Sequence, residues 1–82
     1  MQKKSIRLSG HNTSLALEKE FWESLEEIAA AQNMTLVNFI AYQDCHRKDI
    51  NLASHLRVYA LNYYKKLATD SLISSPDLVQ EP

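Results

Sequence analysis

Residues 12–17, Asn-Thr-Ser-Leu-Ala-Leu, alternate polar and apolar positions with a period of two. From Glu18 the apolar positions fall at helical spacing instead: Phe21, Leu25, Ile28 and Ala29. A period of two predicts a strand, and a stripe at i, i+4, i+7 predicts an amphipathic helix. The first helix should run from about Glu18 to Gln32, with Glu18 and Glu20 at the positive end of its dipole. Trp22 lies beside the stripe and should seal its rim. Asn33 is a plausible left-handed stop. Thr35 is a good N-cap for a second helix carrying Leu36, Val37, Phe39 and Ile40, with Met34 and Phe39 at the positions of a hydrophobic staple. That helix should reach His46 or Arg47. Asp49-Ile50-Asn51 marks the next break, and Asn51 can cap a third helix. Leu52, Leu56, Tyr59, Tyr63 and Leu67 give this helix one stripe, widened by Val58 and Leu61. From Thr69 the chain turns polar. The organisation read from this pattern is a segment 1–11, a domain 12–67 and a flexible tail 68–82.

Upstream of the strand, Ile6 and Leu8 alternate with Arg7 and Ser9, so the apolar parity is even before Gly10 and odd after it. A straight strand would place Ile6 and Leu8 on the face of Ser14 and Ala16. A bulge, a kink or a tight turn making a local hairpin would each reset the face at Gly10-His11. The reading preferred here is a basic N-terminal arm, 1–11, leading through a kink into one short strand. A lone strand has two unpaired edges and needs a partner. The simplest partner is the same strand of a second copy, and an antiparallel two-stranded ribbon with a polar outer face can enter the major groove of DNA.

At 82 residues the chain is one domain near the lower size for independent folding. One cysteine excludes an intramolecular disulfide framework. No apolar run is long enough to span a membrane, and Met1–Arg7 has no apolar core of a signal peptide, so a cytoplasmic location is expected. The net charge is −1, but it is segregated. Residues 1–17 carry Lys3, Lys4 and Arg7 without an acid. The first helix carries Glu18, Glu20, Glu23, Glu26 and Glu27 against Lys19. Basic residues return in Arg47, Lys48, Arg57, Lys65 and Lys66. This distribution bears on nucleic-acid contact more than the total does.

Catalytic and metal chemistry find little support. Cys45 and His46 are neighbours and leave a helix about 100° apart. With Asp49 and His55 they make no CxxC or HxxxH spacing, so no metal or other cofactor is expected. Cys45 lacks a positioned base and an oxyanion cradle, and no enzyme is expected. Tyr59, Tyr63 and Tyr64 sit at helical spacing among leucines and read as packing rather than as a stacking platform.

The order strand, helix, turn, helix over roughly residues 12–47 resembles the ribbon-helix-helix family of Arc- and MetJ-type repressors. The narrower likeness is to short bacterial ribbon-helix-helix proteins. It rests on Gly10-His11, Thr13-Ser14, Leu17-Glu18 and Phe21-Trp22, then on Asn51-Leu52, Ser54, Leu56-Arg57-Val58, Leu61 and Tyr63-Tyr64. The resemblance implies a mostly α fold with one short N-terminal β-strand and an additional C-terminal helix. It implies an intertwined homodimer with an intermolecular antiparallel ribbon. The dimer core would hold Thr13, Leu15, Leu17, Phe21, Leu25, Ile28, Phe39, Ile40 and Leu56. The outward residues Asn12, Ser14 and Ala16 would face the bases. Thr35, Leu36 and Val37 would clamp a phosphate at a helix N-terminus, with Lys3, Lys4, Arg7 and His11 on other phosphates. Asn12 is the strongest reader, since its amide pairs bidentately with adenine, whereas Ala16 can only touch a thymine methyl.

The function expected is a homodimeric, sequence-specific binder of double-stranded DNA, a transcriptional regulator or repressor, with tetramers on DNA left open. A second reading is an antitoxin-like protein-binding module, in which Leu72, Ile73, Leu78 and Val79 of the tail fold onto a protein partner. A third is a helical structural dimer without nucleic acid.

Overall fold

The computed structural model describes residues 1–8, 10–47 and 51–74, of which 71–74 are described as backbone alone. The element order is β1 (Gln2–Leu8), β2 (His11–Leu17), α1 (Lys19–Ala31), α2 (Leu36–His46) and α3 (Leu52–Ser74). The expected Asp49-Ile50 break, Ser9, and Leu78 and Val79 of the tail lie outside the described residues.

The N-terminal segment corrects the sequence reading. Residues 2–8 form a strand rather than an arm, and β1 pairs antiparallel with β2 in one hairpin. The parity reset has a simple cause: the chain turns back at Gly10, whose φ is 86°. Directly opposed residues share a face. The register pairs Gln2 with Leu17, Lys4 with Leu15, Ile6 with Thr13 and Leu8 with His11 on one face. It pairs Lys3 with Ala16, Ser5 with Ser14 and Arg7 with Asn12 on the other. Ile6 and Leu8 therefore join Leu15 and Leu17 on the buried side, as a straight strand could not allow. The strand expected to find its mate in a second copy has one on one edge within its own chain.

The helices cover that apolar face. Leu25, Ile28, Phe39, Ile40 and Leu56 are fully buried with Leu17. Of the residues expected in a dimer core, Leu15, Leu17, Leu25, Ile28, Phe39, Ile40 and Leu56 are already buried in one chain, and Thr13 and Phe21 are half-buried. Trp22 and Phe21 exchange their expected roles. Trp22 is 2 % exposed and Phe21 half-buried, because the hairpin's β1 lies over Trp22. The indole Nε1–H donates to the Gln2 carbonyl at 2.9 Å, and the Lys4 ammonium sits 5.0 Å from the ring centroid.

The helix ends follow their local chemistry. α1 stops at Asn33, which takes φ 59°, while Met34 N–H donates to Ala29 O and Asn33 N–H to Ala30 O. These two bonds are a Schellman stop, with Asn supplying the left-handed residue. Thr35 Oγ1 caps α2 by accepting from Asn38 N–H at 3.1 Å. Asn51 Oδ1 caps α3 through Ser54 N–H at 2.8 Å. α3 then runs on to Ser74, so the expected tail from residue 68 is helical through Ser74. Its 23 residues give a rod about 35 Å long, against about 20 Å for α1, so its end outruns the core. That explains why Leu67, expected in the stripe, is exposed. The buried stripe is Leu52, Leu56 and Ala60, flanked by half-buried Tyr59, Tyr63 and Tyr64.

Candidate nucleic-acid interface

The outward face of the hairpin holds six side chains in three cross-strand pairs: Lys3–Ala16, Ser5–Ser14 and Arg7–Asn12. All are exposed except Ala16, which is half-buried. Neither Lys3 nor Arg7 takes part in an ion pair among the described residues. With no acidic residue in 1–17, the face is polar and positive. The expected base readers Asn12, Ser14 and Ala16 do share one face, and the structure adds Ser5 opposite the central one. Sequence reasoning missed Ser5 because it treated residues 1–11 as an arm. The parity reset at Gly10, read as a tight turn, would have found it.

The expected basic contacts divide. Lys3 and Arg7 lie on the outward face. Lys4 lies on the inward parity and covers Trp22. His11 is exposed but pairs with Leu8 on the inward parity beside the turn. At the start of α2, Thr35 and Val37 are exposed and Leu36 half-buried. The Thr35 hydroxyl occupies Asn38 N–H, and Thr35 O accepts from Phe39 N–H. The N–H groups of Leu36 and Val37 have no acceptor in a preceding turn, which is the condition for holding an anion at a helix start.

The remaining polar groups serve the fold. Glu18 N-caps α1 through its backbone, while its carboxylate accepts from Arg57 Nε at 3.0 Å and Nη2 at 3.2 Å. The guanidinium, followed by the residue's own backbone N–H, holds the Glu18 carboxyl below its ordinary pKa of 4.5 against a smaller opposing effect of desolvation. This fork ties the end of β2 to α3. Tyr64 donates to Glu27 Oε1 at 2.7 Å, and that carboxylate pushes the phenol's pKa up, with desolvation adding to it. His46 Nδ1–H donates to Tyr42 O at 2.8 Å, and the imidazole Nε2 of His55 bonds Gln43 Oε1 at 2.9 Å. Gln43 is buried, and the bond gives its side-chain oxygen a partner. Cys45 is exposed, and among the described residues no three His, Cys, Asp or Glu side chains come together at metal-binding distance.

The sequence profile of the ribbon-helix-helix domain matches residues 1–64. The chain belongs to the ribbon-helix-helix family. Its match includes β1, so the hairpin's first strand is part of the ribbon-helix-helix domain here. Ribbon-helix-helix domains are commonly DNA-binding transcription regulators or antitoxins, typically non-enzymatic, and typically bind DNA as dimers. Among solved structures, the chain is similar to an uncharacterized protein from Bordetella pertussis Tohama I, with 37% identity and a TM-score of 0.73. The likeness covers 84% of this chain and 59% of that one. No curated protein matches the sequence. Among the described residues no helix is long and apolar enough to cross a membrane.

Proposed function

We propose that the chain is a sequence-specific binder of double-stranded DNA that regulates transcription as a homodimer, with its β-ribbon in the major groove. The observation that carries this reading is the hairpin's outward face, which aligns Asn12, Ser14 and Ala16 with Lys3, Ser5 and Arg7 and carries no acid. Strands about 4.8 Å apart make a ribbon that fits a groove about 12 Å wide. Asn12 supplies the strongest base contact, Ser14 a weaker one, and Ala16 a thymine-methyl contact. Lys3 and Arg7 on the outward face, with His11 beside the turn, contribute charge against phosphates, and the start of α2 clamps another through Thr35, Leu36 and Val37.

The second copy docks on the apolar groove between α1 and α3, lined by Phe21, Val58, Ala60, Leu61 and Tyr64. Val58 and Leu61 are 51% and 57% exposed in one chain, a state that association would relieve.

Selection from a pool of random-sequence duplexes tests the reading. An enriched motif that Asn12→Ala binds less selectively supports it; no enrichment at low salt refutes it. A protein-binding role for the C-terminal segment is favoured by one observation, the run of α3 beyond the core with Leu67 exposed. In that case a partner protein co-purifies with the full chain and is lost when residues 68–82 are deleted; equal recovery without them counts against it.

A further inference from the structure

We propose that the cleft where α3 outruns α1 is a binding site for a small aromatic carboxylate. The cleft has a volume of about 490 Å³, inside the span of about 300–1,000 Å³ typical of small-molecule sites. Tyr59, Tyr63, Lys66 and Asp70 line it from α3, at the i, i+4, i+7 and i+11 spacing that shares one helix face. Gln32, the C-cap of α1, borders it beside Tyr59. Val58 and Leu61, where the second copy docks, are not among its walls. None of the walls belongs to the hairpin or to the start of α2, so a ligand there competes with a duplex for no residue.

Two features of the cleft select the ligand. Its body would meet carbon, because the Tyr59 and Tyr63 rings are half-buried, Leu67 is exposed, and Lys66 adds its aliphatic stem. The Tyr59 ring is fixed by packing, edge-on to Phe39 with 5.3 Å between centroids and 70° between planes. A fixed ring with a side open to the cleft suits an aromatic partner. The polar groups near it are donors with capacity left. Gln32 Nε2 donates to the Tyr59 hydroxyl at 3.0 Å, so that oxygen is the acceptor and its own O–H is left to give. Lys66 is exposed and makes no ion pair among the described residues. A hydroxyl donor and an ammonium on one helix face call for a carboxylate, which accepts from both. Asp70 lies one turn beyond Lys66, and its charge confines the ligand's carboxylate to the Tyr59 side of the ammonium.

Titration of the isotope-labelled full chain with 3-phenylpropionate, followed by amide NMR shifts, tests the site. The expected result is saturable binding with a Kd of about 0.1–5 mM, the shifts centred on Gln32 and residues 59–70. 3-Phenylpropionamide, with the same body and no charge, should bind about 5- to 10-fold more weakly. Hexanoate, with the same head and no ring, should bind about 2- to 10-fold more weakly. Tyr59→Phe keeps the ring, removes the donor and should weaken the carboxylate by about 2- to 10-fold. Lys66→Gln should weaken the carboxylate by about 3- to 10-fold and leave the amide unchanged. Lys65→Gln, a neighbour outside the cleft, should change neither, and far-UV circular dichroism checks that each variant folds. Equal binding of the amide overturns the carboxylate assignment, and equal binding of hexanoate overturns the aromatic one. An equal loss in Lys65→Gln reduces the effect to general surface charge and overturns the site. Shifts centred on the groove of Phe21 and Leu61, or no saturable binding at all, overturn it too. The probe is read on the free protein, so a chain that enriches no duplex would refute the DNA-binding reading and leave this result standing.

Discussion

Trp22 helps hold β1 on the helices, beside the buried Ile6 and Leu8 of the strand itself, and its replacement exposes how the outward face is held. The indole is 2 % exposed, and its N–H is bonded to Gln2 O in the first residue of β1. Trp22→Ala removes the largest fully buried side chain and should cost about 3–5 kcal/mol. A small domain holds about 5–15 kcal/mol in total, so that variant sits near its unfolding limit. Trp22→Phe is the more informative change. It keeps an aromatic ring under the Lys4 ammonium and removes the donor. A net hydrogen bond is worth about 0.5–1.5 kcal/mol, and Gln2 is exposed, so water can replace the lost partner. The narrower ring leaves space worth about 1 kcal/mol. The sum is about 1.5–2.5 kcal/mol. Urea unfolding followed by circular dichroism at one fixed protein concentration measures it, since association shifts apparent stability. Amide hydrogen exchange should show protection lost first in residues 2–8. An unchanged midpoint with unchanged protection of β1 in Trp22→Phe would refute the anchoring role.

Other changes probe single links. Gly10→Ala places a Cβ where nothing lies within 4 Å, so its cost, about 1–2 kcal/mol by thermal melting, should come from the positive φ alone. Thr35→Ala removes the α2 cap and should cost about 0.5–2 kcal/mol, with Thr35→Ser restoring most of it. The Glu18 carboxyl is held below 4.5 in the folded chain. The stabilisation from its pairing with Arg57 is therefore in place above the unfolded carboxyl's ordinary range and is lost as pH falls through the lower folded value. Carboxyl NMR titration should show the Glu18 midpoint rising toward 4.5 in Arg57→Met, and an unmoved midpoint would remove Arg57 as its cause. Leu61→Glu puts a charge in the α1–α3 groove and should leave a folded monomer in sedimentation; an unaltered dimer would place the second copy elsewhere.

Where helices start and stop was readable because each end is a local event. Asn33, Thr35 and Asn51 act on backbone groups within a few residues, and all three stand where their chemistry suggests. Burial was less readable where it depends on another element. Phe21 and Trp22 are neighbours on one helix, and only the position of β1 decides which goes under. Leu67 continues an apolar spacing past the point where α1 and α2 end. The hairpin was visible in the parity of Ile6 and Leu8 against Leu15 and Leu17, but Lys3, Lys4 and Arg7 suggest an arm as readily as a strand. The outward grouping of Arg7 with Asn12 needs the register, which the turn at Gly10 sets.

Binding in the major groove requires the hairpin's outward face to meet the duplex. Amide and side-chain NMR shifts of the labelled full chain, titrated with the enriched duplex, locate the contact. Lys3, Ser5, Arg7, Asn12, Ser14 and Ala16 should move together with Leu36 and Val37, while Lys65 and Lys66 on α3 stay in place. Shifts centred on α3 or on the α1–α3 groove, with the outward strand residues unmoved, would contradict it.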